Sequence, residues 1–163
     1  MKKKYSQVKQ IRADLTGRGR CFGVVVSRFN SKVTSRLLKS CLDTLKSKGV
    51  APSAVRTFFV PGGYELPWAV QELAHSGQYQ VIIALGAILK GSTPQNEHIS
   101  RSTVQHLHDV ALRTRVPCIL GVITPNTQAQ AMARTKGGLD RGREAALAAL
   151  DVLTLRKELR QQP

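Results

Sequence analysis

Apolar and polar positions follow two rhythms along this chain, and the rhythms switch repeatedly. Residues 22–27, Phe-Gly-Val-Val-Val-Ser, form a short β-branched run of the kind found in a strand buried on both faces. Behind Asn30 or Ser31, either of which can cap a helix, Val33, Leu37, Leu38, Cys41, Leu42 and Leu45 recur at helical spacing, and Lys48-Gly49 ends the segment. A second strand is predicted over 55–60. Pro61-Gly62-Gly63 then breaks the chain before a helix over 65–75. A third strand is predicted over 80–85, followed by a Gly-bounded loop over 86–93. Pro94 suits the first turn of a long helix that runs to about Arg113. Residues 118–123 predict a fourth strand and 126–134 a short helix. After a break at Lys136-Gly137-Gly138, an Ala- and Leu-rich helix is predicted from about Asp140 to Leu159.

Four apolar strands alternating with helices imply βαβ units. The expected fold is α/β: a single-domain, flavodoxin-like three-layer sandwich with a central, mainly parallel four-stranded sheet. No internal repeat is visible, and no linker follows residue 20. The chain therefore divides into a basic N-terminal extension (1–20), a globular domain (21–159) and a short C-terminal tail (160–163). Sheets of this type bind ligands at the carboxyl ends of their strands. The candidate chemistry belongs in the loops near 27–31, 60–65, 85–93 and 124–126.

Charge adds a second theme. Among 163 residues, 25 Lys and Arg face 10 Asp and Glu, a net charge of +15 with a pI near 10.5. Nucleic acid is the first partner such a balance brings to mind. Residues 1–20 alone hold seven cations against Asp14. The motifs of a nucleic-acid binder are missing: aromatics are 5%, and there is no RNP-like cluster or helix-turn-helix pattern. Nucleic acid is left as a non-specific electrostatic contact. Hydrophobic residues at 42% exclude a disordered basic tail, and a chain of this length can bury roughly two-thirds of its surface. Charges interrupt every apolar run, so no membrane span or secretory signal is expected. Cys21, Cys41 and Cys118 are odd in number and widely spaced, which argues against a disulfide framework or CxxC metal site and for a reducing cytoplasm. His75, His98, His106 and His108 show no i, i+4 ligand pair, so no metal is expected.

The strand-end loops carry more specific chemistry. Phe29 follows a buried strand and can offer a flat stacking face. Gly62-Gly63 permits close backbone approach to a ligand, and Glu65 at a helix start can cap it or bind sugar hydroxyls. The Gly91-Ser92-Thr93-Pro94 turn leads into a helix, where free N–H groups and hydroxyls suit a phosphate. It is neither a Walker loop nor GxGxxG. Arg134, Lys136 and Arg141 surround a Gly turn and suit either phosphate or bulk solvent.

Together these loops resemble the lumazine synthase family. The residues that carry the resemblance are Phe29-Asn30; Val60-Pro61-Gly62-Gly63-Tyr64-Glu65-Leu66-Pro67; residues 84–94, Ala-Leu-Gly-Ala-Ile-Leu-Lys-Gly-Ser-Thr-Pro; Gly121-Val122-Ile123-Thr124; and residues 142–150. The resemblance implies an enzyme that condenses 5-amino-6-(D-ribitylamino)uracil with 3,4-dihydroxy-2-butanone 4-phosphate, without metal or redox cofactor. It implies a site between subunits of a homopentamer, twelve of which form a 60-subunit shell in many members, and it leaves room for a riboflavin synthase partner. By resemblance, Phe29 stacks on the pyrimidine. Gly63, Tyr64 and Glu65 hold the pyrimidine and ribityl chain, and Ala87, Ile88 and Leu89 contact the pyrimidine. Ser92 and Thr93 bind the phosphate, Leu120 comes from a neighbouring subunit, Arg134 grips the phosphate, and Arg141 stands where relatives carry Lys. The compact 136–138 turn resembles shell-forming relatives yet is about one residue shorter than usual, which leaves pentamer and shell open.

One departure matters. Where the family has a proton-transferring His, this chain has Gln95. An amide can hydrogen-bond but cannot exchange a proton near neutral pH. His98 lies three residues later on nearly the same helix face. It either serves the site, directly or through water, or is an interface or packing His. The expectation is a working but slow synthase, with a non-catalytic flavin- or lumazine-binding paralogue as the alternative.

Overall fold

The structure, a computed structural model, describes residues 22–161. The basic extension expected at 1–20 lies outside the described residues, as do Cys21 and residues 162–163. The elements are β1 (Phe22–Ser27), α1 (Ser31–Ser47), β2 (Val55–Val60), α2 (Leu66–His75), β3 (Val81–Ala87), α3 (Gln95–Thr114), β4 (Cys118–Ile123), α4 (Gln128–Ala133) and α5 (Arg141–Gln161). Short 3-10 turns occupy Pro52–Ala54 and Gly137–Leu139. The fold is the flavodoxin-like α/β sandwich, with all four strands parallel in the order β2-β1-β3-β4.

The strand runs are apolar because the sheet is covered on both sides. On one face, Phe22, Val24 and Val26 pack with Cys41 and Leu45 of α1 and with Ala145, Ala146 and Ala149 of α5. On the other, Val25, Ile82 and Ala84 pack with Leu66 and Val70 of α2 and with Leu107 and Val110 of α3. Every residue of the central strands β1 and β3 is buried, whereas the edge strands β2 and β4 are only partly buried. Each fully buried Val, Leu or Ile contributes about 1.5–3 kcal/mol. Small residues let α5 close on α1: a Cβ added at Gly142 would lie 2.2 Å from the Leu37 carbonyl oxygen.

The pairing Ser27↔Val60 and Ala87↔Ile123 brings the carboxyl ends of the strands to one rim of the sheet. Several details differ from the sequence-based expectation, among them α4, which spans Gln128–Ala133 and not 126–134. β3 runs two residues past Leu85, because Gly86 and Ala87 continue the ladder with Val122 and Ile123 of β4. The loop therefore opens at Ile88, not at Gly86. Asn30 stands at the head of α1 in a left-handed conformation (φ 60°) and makes no side-chain cap. Its Nδ2 instead donates to the Ala87 carbonyl at 2.8 Å. Finally, α5 continues two residues beyond Leu159. No described helix is long and apolar enough to cross a membrane.

Candidate functional site at the carboxyl rim

Backbone and side-chain hydrogen bonds lace the strand-end loops together. Past β1, the N–H groups of Arg28 and Phe29 donate to the Val60 and Pro61 carbonyls at 2.8 and 2.9 Å, which extends the β1–β2 ladder into the loops. Asn30 then ties the first loop to the end of β3. On the other side, the N–H groups of Ile88 and Lys90 donate to the Ile123 and Pro125 carbonyls at 2.9 and 3.1 Å. The four loops behave as one surface because each accepts or donates across a strand gap.

Within that surface Phe29 stands 71% exposed, its ring free for stacking. Tyr64 is also exposed. Glu65 occupies the N-cap position of α2 but does not cap it. Its Oε2 accepts from the Gly62 N–H at 2.8 Å, so the carboxylate closes its own turn and stays half-buried at the rim. Gly63 is required by close approach: a Cβ there would lie 2.9 Å from Ile88 Cδ1. Ala87 and Ile88 are buried, and Leu89 packs with Val33, Leu37 and Ile123. Those three can meet a ligand mainly through backbone and edge atoms.

The turn into α3 is open. Ser92, Thr93 and Gln95 are exposed, and nothing lies within 4 Å of where a Gly91 Cβ would stand. Pro94 precedes the helix and no side chain caps it. By contrast, Thr127 Oγ1 caps α4 by accepting from the Gln130 N–H at 3.1 Å. The start of α3, a 20-residue helix, therefore carries no side-chain cap, and the positive end of its dipole is a setting that suits an anion. His98 is exposed, one turn beyond Gln95.

Three expected residues stand apart from this cluster. Leu120 lies inside the edge strand β4, paired with Ala84, three residues short of the rim and 50% exposed. Arg134 ends α4 and donates to the Gln130 carbonyl at 3.1 Å. Arg141 pairs with Glu144 on its own helix. The two arginines share a corner, since the Arg141 N–H donates to the Arg134 carbonyl at 2.9 Å.

Thr103 escaped the sequence reading. It is 1% exposed on α3, and its Oγ1 donates to the Gly63 carbonyl at 3.1 Å, across 40 residues. The available signal was a hydroxyl at a core position of the predicted helix, in register with Leu107 and Val110. Buried hydroxyls need partners, and this one finds its partner in the rim. Among the described residues no three His, Cys, Asp or Glu side chains converge, and the Cys41 and Cys118 thiols are free. Burial pushes both thiols up to about 12, with the Asp140 carboxylate adding to the effect at Cys41. A profile of the 6,7-dimethyl-8-ribityllumazine synthase family matches residues 19–157 of the 163, a span that takes in all four strands and their loops, and the chain belongs to that family.

Proposed function

We propose that the chain condenses 5-amino-6-(D-ribitylamino)uracil with 3,4-dihydroxy-2-butanone 4-phosphate to 6,7-dimethyl-8-ribityllumazine, the penultimate step of riboflavin biosynthesis. The observation that carries this reading is the lacing of the Phe29, Gly63–Glu65 and Ala87 loops into one rim, in a chain of this family. The Phe29 ring stacks on the pyrimidine. The Gly63 and Tyr64 segment, with the Glu65 carboxylate, orients pyrimidine and ribityl hydroxyls. Backbone groups of Ala87, Ile88 and Leu89 border the ring. Ser92, Thr93 and the uncapped start of α3 receive the phosphate of the second substrate.

The reaction needs an amine held against a ketone, release of phosphate and a ring closure. Fixing two substrates side by side is worth effective molarities of about 10⁵ M or more in favourable cases. The α3 dipole stabilises the departing phosphate. Gln95 orients by hydrogen bonds but moves no proton, so proton transfer falls to His98 or to water. General acid–base help is typically worth about 10²–10⁴-fold, and its dilution makes this a slow enzyme.

The residues apart from the rim support a multi-subunit site. Leu120 lies on the β4 edge, while exposed Phe59 lies on the β2 edge at the opposite side of the sheet. Contact between two different edges is heterologous, the type of contact that gives a ring when the rotation between neighbours closes. In a homopentamer of this kind, Leu120 reaches the neighbour's Phe29 pocket, and Arg134 with Arg141 completes the phosphate grip across the boundary. Pentamers either stand alone or assemble twelvefold. The free thiols of Cys41 and Cys118 suit a reducing cytoplasm.

The test is to incubate the full chain with both substrates and follow lumazine fluorescence. Product that depends on both substrates supports the synthase. Tight binding of the pyrimidine with no product would establish instead a non-catalytic flavin- or lumazine-binding paralogue.

A further inference from the structure

The net charge is sorted between the layers of the fold. The described residues carry +9 in all. On the α2/α3 side, with Glu65 and Arg115 at the helix ends, Arg101, Arg113 and Arg115 face Glu65, Glu72, Glu97 and Asp109, a net of −1. On the α1/α5 side, with Lys48 and Asp140 at the helix ends, ten Lys and Arg face five Asp and Glu, a surplus of +5 in one layer. Nine of those ten cations are exposed. This sorting is invisible in the sequence, because the two layers draw on distant segments.

Along α1, Lys32, Arg36, Lys39 and Lys46 fall at steps of four, three and seven residues, and so share one outward face. At 1.5 Å per residue the stripe is about 21 Å long, an axial length over which each strand of a duplex carries roughly six phosphates at 3.4 Å of rise apiece. A groove of about 480 Å³ runs beside it, lined by Arg36 and Lys39 and by the hydroxyls of Ser40, Thr44 and Ser47, with Thr135 opposite. Asp43 also lines the groove, and it is paired with Lys39. The groove hydroxyls of Ser40, Thr44 and Ser47 already donate within the chain, to the Asp140 carboxylate and to the Ser40 and Thr44 carbonyls, so the exposed Lys and Arg side chains of the stripe are what meets phosphate oxygens. The exposed aromatics Phe29, Phe59, Tyr64 and Trp68 all lie on other elements, so this layer offers no platform for stacking unpaired bases.

We infer that the α1/α5 layer is a docking surface for the phosphate backbone of double-stranded nucleic acid, bound without sequence preference and independently of the condensation. The full chain is titrated into a fluorescent 20-base-pair duplex at several salt concentrations and read by anisotropy. Three variants are compared: Lys32→Glu/Arg36→Glu/Lys46→Glu on the stripe, Arg101→Glu/Arg113→Glu on the α2/α3 layer, and Lys2→Gln/Lys3→Gln/Lys4→Gln in the basic extension. Circular dichroism and melting confirm that each variant folds. The expected result is a loss of tenfold or more confined to the stripe variant. Its log–log salt slope should also be shallower by about 0.9 for each phosphate contact removed. The inference is overturned by equal binding of wild type and stripe variant, or by a loss that follows only the extension variant. Binding to anionic vesicles with none to duplex would also overturn it.

Discussion

Replacing Thr103 by Val keeps the shape of the side chain and removes one donor. The hydroxyl is buried and bonds the Gly63 carbonyl at 3.1 Å. A neutral buried hydrogen bond contributes about 0.5–1.5 kcal/mol net. The carbonyl is not left bare, because the Leu66 N–H also donates to it at 3.3 Å. The expected destabilisation is therefore about 1 kcal/mol, or a fall of about 2–4 °C in Tm for a domain of this size. The larger consequence is local. The Gly63 carbonyl is shared by Thr103 and the Leu66 N–H, so losing the longer-range of the two bonds loosens the loop proposed to orient the pyrimidine. A loss of about 1 kcal/mol of preorganisation raises KM for the ribitylaminouracil roughly fivefold, since 1.4 kcal/mol is tenfold. The kcat and the KM for the phosphorylated ketone should stay within about twofold. Thr103→Ser should restore the wild-type KM. Steady-state kinetics with each substrate varied in turn decides the matter. A lowered Tm with both KM values unchanged would show that Thr103 supports the fold alone.

Gly142→Ala should be severely destabilising, by more than about 3 kcal/mol, because its Cβ meets the Leu37 carbonyl at 2.2 Å where α5 crosses α1; urea unfolding measures it. Gln95→His should raise turnover by about tenfold or more by restoring a proton carrier, and His98→Ala should lower turnover of the native enzyme. If neither change alters turnover, proton transfer does not pass through this helix face. The thiol of Cys41, pushed up to about 12 from 9.0, stays protonated in the folded chain while the unfolded thiol ionises above pH 9. Its contribution to stability is full below pH 9 and declines between pH 9 and 12, by up to about 1.4 kcal/mol per pH unit. Urea unfolding under reducing conditions at pH 8 and pH 10 should show that decline, and Cys41→Val should reduce it.

The order of strands and helices was legible because buried parallel strands and amphipathic helices leave different periods in the chain, as Val24–Val26 and Val33–Leu45 illustrate. Boundaries were less so where tertiary contacts overrode local signals. Gly86 reads as a loop opener, yet pairing with β4 keeps it in the strand. Asn30 reads as a cap, yet a carbonyl on β3, 57 residues away, claims its amide. Phe29, Gly63 and Glu65 were visible because strand ends attract ligand sites and the loop residues there serve no core. Thr103 was not, since its role depends on which loop the third turn of α3 happens to face. Leu120, Arg134 and Arg141 rest on family resemblance, and a single chain brings none of them to the rim.

The most direct measurement counts products. Purified full-length chain, given both substrates, is sampled over time for 6,7-dimethyl-8-ribityllumazine and for inorganic phosphate. Equimolar appearance of the two above the uncatalysed background, abolished by omitting either substrate and slowed by Phe29→Ala, is the expected result. Phosphate and lumazine at background rates, with the ribitylaminouracil nonetheless bound, would contradict the synthase assignment.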